Sequence, residues 1–172
     1  MKIPYSWLVE LLPELPKAIE NNPHHLEPIL AMLGTGVEEI VSFPAPPEGV
    51  IFGVVLECSA IPETHLYKLQ VDVGLESPKQ IITGAPNAKA GVGVAIAPPN
   101  TMLQGKLLEE RLVQGLTSWG MACSPKELGI GDFSAGLLEL PAGNAKAGTP
   151  LISLWAADDV LDIEITPNRA DA

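Results

Sequence analysis

The chain has 172 residues, 47% of them hydrophobic, with 17 Pro, 16 Gly and a formal net charge of −11 at pH 7. That length admits one medium domain or a small one carrying an insert. No stretch reaches the roughly 18–20 apolar residues of a membrane span, and no basic-then-apolar signal opens the chain, so a cytoplasmic protein with no membrane partner is expected. All three parts of the chain are acidic: residues 1–39 carry two Lys and six Glu, residues 40–151 seven Lys/Arg and ten acids, residues 152–172 one Arg and five acids. This excludes nucleic-acid binding by bulk charge and leaves only a local cluster for any RNA contact.

The first forty residues read as helical. Ser6 is placed to cap a helix over Trp7–Leu12 that Pro13 stops. A second stripe, Leu26, Ile29, Leu30 and Leu33, ends at Gly34 and begins either at Asn22-Pro23 or at Pro28, which would break an interior hydrogen bond. Val37–Phe43 is a candidate strand, and Pro44-Ala-Pro-Pro47 a domain boundary. The pattern then turns to β. Val50–Glu57 is a dense apolar run, and Lys68–Val73 alternates with Leu69, Val71 and Val73 on one side. Gln80–Thr83, Val92–Ala97, Met121–Ser124 and Leu137–Leu140 are further short strands. Several strands without a long helix favour a small barrel or sandwich. Ser124-Pro-Lys-Glu127 is a capping box that predicts a short helix over Pro125–Leu128. Near the end, Leu161, Ile163 and Ile165 alternate with Asp162, Glu164 and Thr166. That strand has no neighbour in sequence, so it is expected to pack on the N-terminal helices.

Chemistry-bearing groups are sparse. Gly91-Val-Gly93 is followed by a strand and Pro98-Pro99, whereas a phosphate loop needs a helix there, so these glycines are turns. His24, His25 and His65 are the only histidines, and Cys58 and Cys123 stand alone, so neither zinc ligation nor a disulfide is expected. Asp158, Asp159, Asp162 and Glu164 read as a solvated strand face rather than a magnesium site. No Ser/His/Asp or Cys/His arrangement is legible, so no catalytic residue is assigned.

Two stretches suit RNA contact. Ser118-Trp119-Gly120-Met121-Ala122-Cys123-Ser124 offers hydroxyls for phosphate or 2′-OH, a glycine for close approach, and Trp119 or Met121 to pack on a base. The bland reading places Met121 and Cys123 in the core and makes Ser124 a cap, leaving Ser118 and Trp119 as surface contacts. Ile82-Thr83-Gly84-Ala85-Pro86-Asn87-Ala88-Lys89 adds Asn87, a turn-fixing side chain, and Lys89, one of few cations.

In order, these segments resemble the oligonucleotide-binding (OB) barrel of the tRNA-binding domain family, over roughly Val50 to Gly148. The basic residue usual at Thr64-His65-Leu66 is missing. The flanks Pro4-x-Ser6-Trp7-Leu8 and Asp162-x-Glu164-Ile-Thr-Pro-Asn168-Arg169, with Ser124-Pro-Lys-Glu-Leu-Gly129 between them, resemble the start of bacterial phenylalanyl-tRNA synthetase beta subunits. The resemblance implies a mainly β chain with an α+β flank: a five-stranded OB-type barrel (44–148) inserted in a small discontinuous α+β domain (1–43 and 149–172). It implies the noncatalytic front of a synthetase subunit, with ATP and magnesium belonging to the parent enzyme. It also implies an alpha-subunit partner (two alpha, two beta) and a tRNA contact through Asn87, Lys89, Ser118, Trp119, Met121 and Ser124. A free-standing tRNA-binding or chaperone protein built on the same barrel is the alternative, and a purely architectural module a third.

Overall fold

The computed structural model describes residues 1–165. The first part of the chain forms β1 (Lys2–Pro4), α1 (Tyr5–Leu11), α2 (Leu15–Ala18), α3 (Leu26–Met32) and β2 (Val37–Phe43). The middle forms β3 (Ile51–Ala60), β4 (Tyr67–Asp72), β5 (Lys79–Thr83), β6 (Val92–Ala97), β7 (Met102–Leu103), β8 (Lys106–Leu107), β9 (Arg111–Val113), β10 (Leu116–Ser118), β11 (Met121–Ala122) and β12 (Glu139–Pro141). A final strand, β13 (Asp158–Ile163), follows. The chain folds as two compact units, one built from Met1–Pro44 with the segment from Ala157 onward, the other from Ala45–Ala156.

In the first unit β13 is the central strand, with β1 on one side and β2 on the other, both antiparallel. Leu161 and Ile163 on this strand are buried and share a core with Ile19 and Leu26, against which Ile3, Leu8, Leu15, Leu30 and Ile40 pack. The late strand therefore does meet the N-terminal helices, and it also gains two strand partners. Three expectations need correction. Ser6 does not cap α1: Pro4 is the N-cap residue, and Ser6 lies in the first turn and donates from Oγ to Asp158 Oδ2 at 2.6 Å. The stripe over α3 is only half buried, because Ile29 and Leu33 are exposed while Leu26 is enclosed. Ile165 is likewise exposed, lying past the last ladder pair, and Thr166 onward is outside the described residues.

The choice between Asn22-Pro23 and Pro28 resolves into both. Asn22 caps a 3-10 turn at Pro23–His25 by accepting from His24 N–H at 3.1 Å. α3 continues from it, with Pro28 in the first turn, where the missing N–H breaks no helical bond. Gly34, at φ 82°, terminates α3.

The second unit is a five-stranded OB-type barrel. Its sheet order is β11-β6-β3-β4-β5, with β12 also on β6. The sheet curls until its outer members meet. Trp119 N–H donates to Gln80 O at 2.9 Å, and Gln80 Nε2 donates to Thr117 O at 2.8 Å. A bulge between Val55 and Glu57 bends β3 around the barrel and turns Leu56 outward. Leu69, Val71, Val73, Ile81, Val94 and Ile96 fill the interior. The other face of β6 carries Ala95 and Ala97 into a second core with Val50, Leu103, Leu108, Cys123, Leu128 and Leu151. This explains why Val92–Ala97 is apolar without alternation: both faces are covered. Gly93 makes room there, since a Cβ would overlap the Phe52 ring and stand 3.0 Å from Leu140 O.

Residues 149–156 also belong to this unit. Phe52 N–H donates to Thr149 O, Leu151 N–H to Val50 O, and Leu154 and Trp155 pack on the second core. The expected boundary at 148/149 thus lies inside the unit. The capping box forms in full: Ser124 N–H and Oγ donate to Glu127 Oε2 at 2.7 and 2.8 Å, and Glu127 N–H donates to Ser124 Oγ at 3.3 Å. The helix it announced over Pro125–Leu128 does not form: residues 125–129 are a hydrogen-bonded turn, and Gly129 at φ 71° lies outside the helical region.

Candidate nucleic-acid interface

Where the barrel closes, β5 faces residues 118–124 across a narrow seam. Ser118 is the closing pin. Its hydroxyl accepts from Ile82 N–H at 3.0 Å and donates to Gly120 O at 2.8 Å, so it stands in for a backbone ladder partner. It is 4% exposed, and the expectation of a surface contact gives way to this structural duty. Trp119 is half-buried against the barrel core, with Lys79 Nζ 5.8 Å from its ring centroid. The pair holds a cation on an aromatic face beside the seam.

The seam opens into a cleft of about 290 Å³ walled by Ile82–Ala85, Met121, Ala122, Ser124, Glu127 and residues 134–137. Met121 and Ser124 therefore come together in it. Asn87 builds its wall from behind. Leu137 N–H donates to Asn87 Oδ1 at 2.8 Å, and Asn87 Nδ2 donates to Leu137 O at 3.0 Å and to Glu139 Oε1 at 2.8 Å. Gly136 lies so close to this amide that a Cβ would stand 2.8 Å from Asn87 Cγ. Lys89 is exposed, and its ammonium pairs with Glu139 Oε2 at 2.7 Å. The hydrogen bonds from Lys89 and then Asn87 hold the Glu139 carboxyl below the usual glutamate range. Behind the cleft, burial pushes the Cys123 thiol up to about 12, with the Glu127 charge adding to it, so this cysteine is an inert core residue.

A second cavity of about 100 Å³ adjoins the first, sharing Ile82 and Met121, and is lined by Arg111, Glu109, Leu108, Val113, Ser118 and Gly120. Arg111 comes from the β9–β10 hairpin and escaped the sequence reading, although it is the sole Arg among the described residues. Gln80 and Glu127 were also missed as site residues. His65 stands at Gly84, 3.6 Å from where a Cβ would be, in place of a permanently charged side chain.

Among the described residues no group of three His, Cys, Asp or Glu gathers as a metal site. Three of the four acids lie on β13 with separate partners: Asp158 accepts from Ser6, Asp159 from Ser42, and Asp162 from the Met1 amine, while Glu164 lies beyond the strand. The Met1 amine and Lys2 keep the Asp162 carboxyl below its ordinary range. No helix among the described residues is long and apolar enough to cross a membrane.

A family model described as "Putative tRNA binding domain" matches residues 50–150. The phenylalanine–tRNA ligase beta subunit of Deinococcus radiodurans is 49% identical over 99% of this chain and 21% of its own length. The corresponding subunit of Streptococcus pyogenes is 38% identical over all of this chain and 22% of its own length. The chain thus spans about a fifth of these relatives. Among solved structures, a MetRS-related protein from Pyrococcus horikoshii superposes with a TM-score of 0.44 at 21% identity, over 60% of this chain and 88% of that one.

Proposed function

Since the chain belongs to the tRNA-binding domain family, we propose that it serves as the noncatalytic front part of a phenylalanine–tRNA ligase beta subunit. The observation that carries this is identity of 49% spread over 99% of the chain, flanks as well as barrel. In this reading the barrel approaches tRNA while the flanking α+β unit is architectural. Aminoacylation, its ATP and its magnesium belong to the parent enzyme, which pairs two alpha with two beta subunits in the cytoplasm. The contact surface is the seam and its cleft, with Met121, Trp119 and Arg111 reaching RNA directly. Asn87, Ser118 and Ser124 position the walls, and Lys89 is held by Glu139 until a phosphate displaces it.

A chimera tests the reading. The Deinococcus radiodurans beta subunit, with its matching segment replaced by this chain, should assemble with its alpha subunit and charge tRNA(Phe) at a rate close to the parent's. Failure to assemble would sink it. The acidic balance separates this role from that of a free-standing tRNA binder: the chain alone should retard bulk tRNA only weakly in a gel shift at low salt. Tight retardation would favour the free-standing protein instead.

A further inference from the structure

The cleft beside β5 has a chemistry that a phosphate site lacks. No Lys, Arg or His lines it, and its one charged lining group is Glu127. Two of its walls are built from the smallest residues, Gly84-Ala85 and Ala135-Gly136, so little side chain projects into the slot there. The Glu127 carboxylate is half committed: Ser124 N–H and Oγ both bind Oε2, and no described residue donates to Oε1. A carboxylate only accepts, so the matching ligand edge must present N–H donors. The adjoining cavity, joined at Ile82 and Met121, supplies the cation that the slot lacks, Arg111.

We propose that the slot takes one unstacked RNA base bearing an exocyclic amino group, its amino edge on Glu127, while Arg111 holds a neighbouring phosphate. The proposal rests on the reading of the barrel as an RNA-contacting domain and deepens it by naming what enters. Cytosine and adenine offer an amino group to a carboxylate, whereas the Watson–Crick edge of uracil flanks its one N–H with carbonyl oxygens that Glu127 repels. Asn87 is a positioning residue here, since its two hydrogen bonds with the Leu137 backbone set the wall opposite β5.

The test uses the 172-residue chain and fluorescein-labelled oligo(rC), oligo(rA) and oligo(rU), read by anisotropy at low salt. The C and A oligomers are expected to bind about tenfold tighter than the U oligomer, the discrimination of one good base contact. Glu127→Gln keeps a capping-box acceptor for Ser124 and places an NH₂ where Oε1 stood, so the preference should fall to within about twofold. Ala135→Leu, at an exposed wall position, should bring the C and A oligomers down to the level of U. Arg111→Ala should weaken all three alike and reduce the salt slope by about one. Equal binding of the three oligomers, or a preference that survives Glu127→Gln, overturns the proposal and leaves the barrel's RNA role standing. Binding of none overturns the proposal and the barrel's RNA contact with it, and leaves the subunit role to the chimera. Glu127-dependent binding of a basic decapeptide without base preference would make the slot a peptide site and overturn it too.

Discussion

Asn87 shows how a side chain can build the wall of a cleft from behind. Its amide occupies both backbone groups of Leu137, a residue 5% exposed. Truncation would strand that buried pair. Asn87→Ala is therefore expected to destabilise the barrel by about 1–3 kcal/mol, read as a lower urea midpoint with an unchanged slope. A pH effect belongs to the same cluster. Glu139 has a depressed pKa in the folded state, so its stabilisation is complete above the ordinary glutamate pKa and is lost as pH falls through the depressed value. Acidification through that depressed value should release Lys89 and loosen the loop over 134–137 before the barrel melts. Amide exchange of Leu137 against that of Val94 checks the order: simultaneous loss would refute it. Ser118 shows the opposite limit on reading a sequence. A hydroxyl in an RNA-binding motif has the same letter whether it faces solvent or closes a barrel, and only the meeting of β5 with residues 117–119 decides.

At the level of elements, the strands that alternate or run apolar for five or more residues were legible from their residues. β4 keeps Leu69 and Val71 inside, and β6 matches its apolar run residue for residue. The two hairpins β7–β8 and β9–β10 were not, because strands of two or three residues are shorter than any period. Their turns, Gln104-Gly105 and Gln114-Gly115, have positive φ at both central residues. Such turns are usually signalled by Asn-Gly, and Gln hides them. Gln114→Asn should thus stabilise the β9–β10 hairpin by a few tenths of a kcal/mol, since Asn tolerates positive φ better, and a nearly unchanged or slightly raised melting temperature is expected. A clear fall would mean that Gln114 has a role beyond the turn. Gly93→Ala moves the other way. Its Cβ would overlap the Phe52 ring against a fixed carbonyl, and overpacking of that kind costs about 1–3 kcal/mol. The candidate cleft was only partly legible for a similar reason: Met121, Ser124 and Asn87 sit in recognisable segments, but residues 134–137 reach it through an irregular loop, and Arg111, in the adjoining cavity, stands on a three-residue strand.

For the molecule as a whole, the two units have separate cores, and each should answer separately to damage. Leu161 is fully buried in the first core. Leu161→Ala is expected to cost that unit about 2–5 kcal/mol and to speed amide exchange in β1, β2 and α3, with protection at Val71 and Ile96 unchanged. Equal loss in both would show one cooperative body. The central place of β13 has a consequence for a chain emerging from a ribosome. β1 and β2 make no ladder with each other, and both pair only with β13, whose residues follow the barrel in the chain. The barrel can fold as it is synthesised, but the first unit must wait, with Ile3, Leu8 and Leu30 extruded early and left without a sheet. Its completion is a late docking of one strand into a gap held by two others. A pause in translation before β13 has cleared the ribosome would lengthen the life of that open intermediate, and a pause after it has cleared would not.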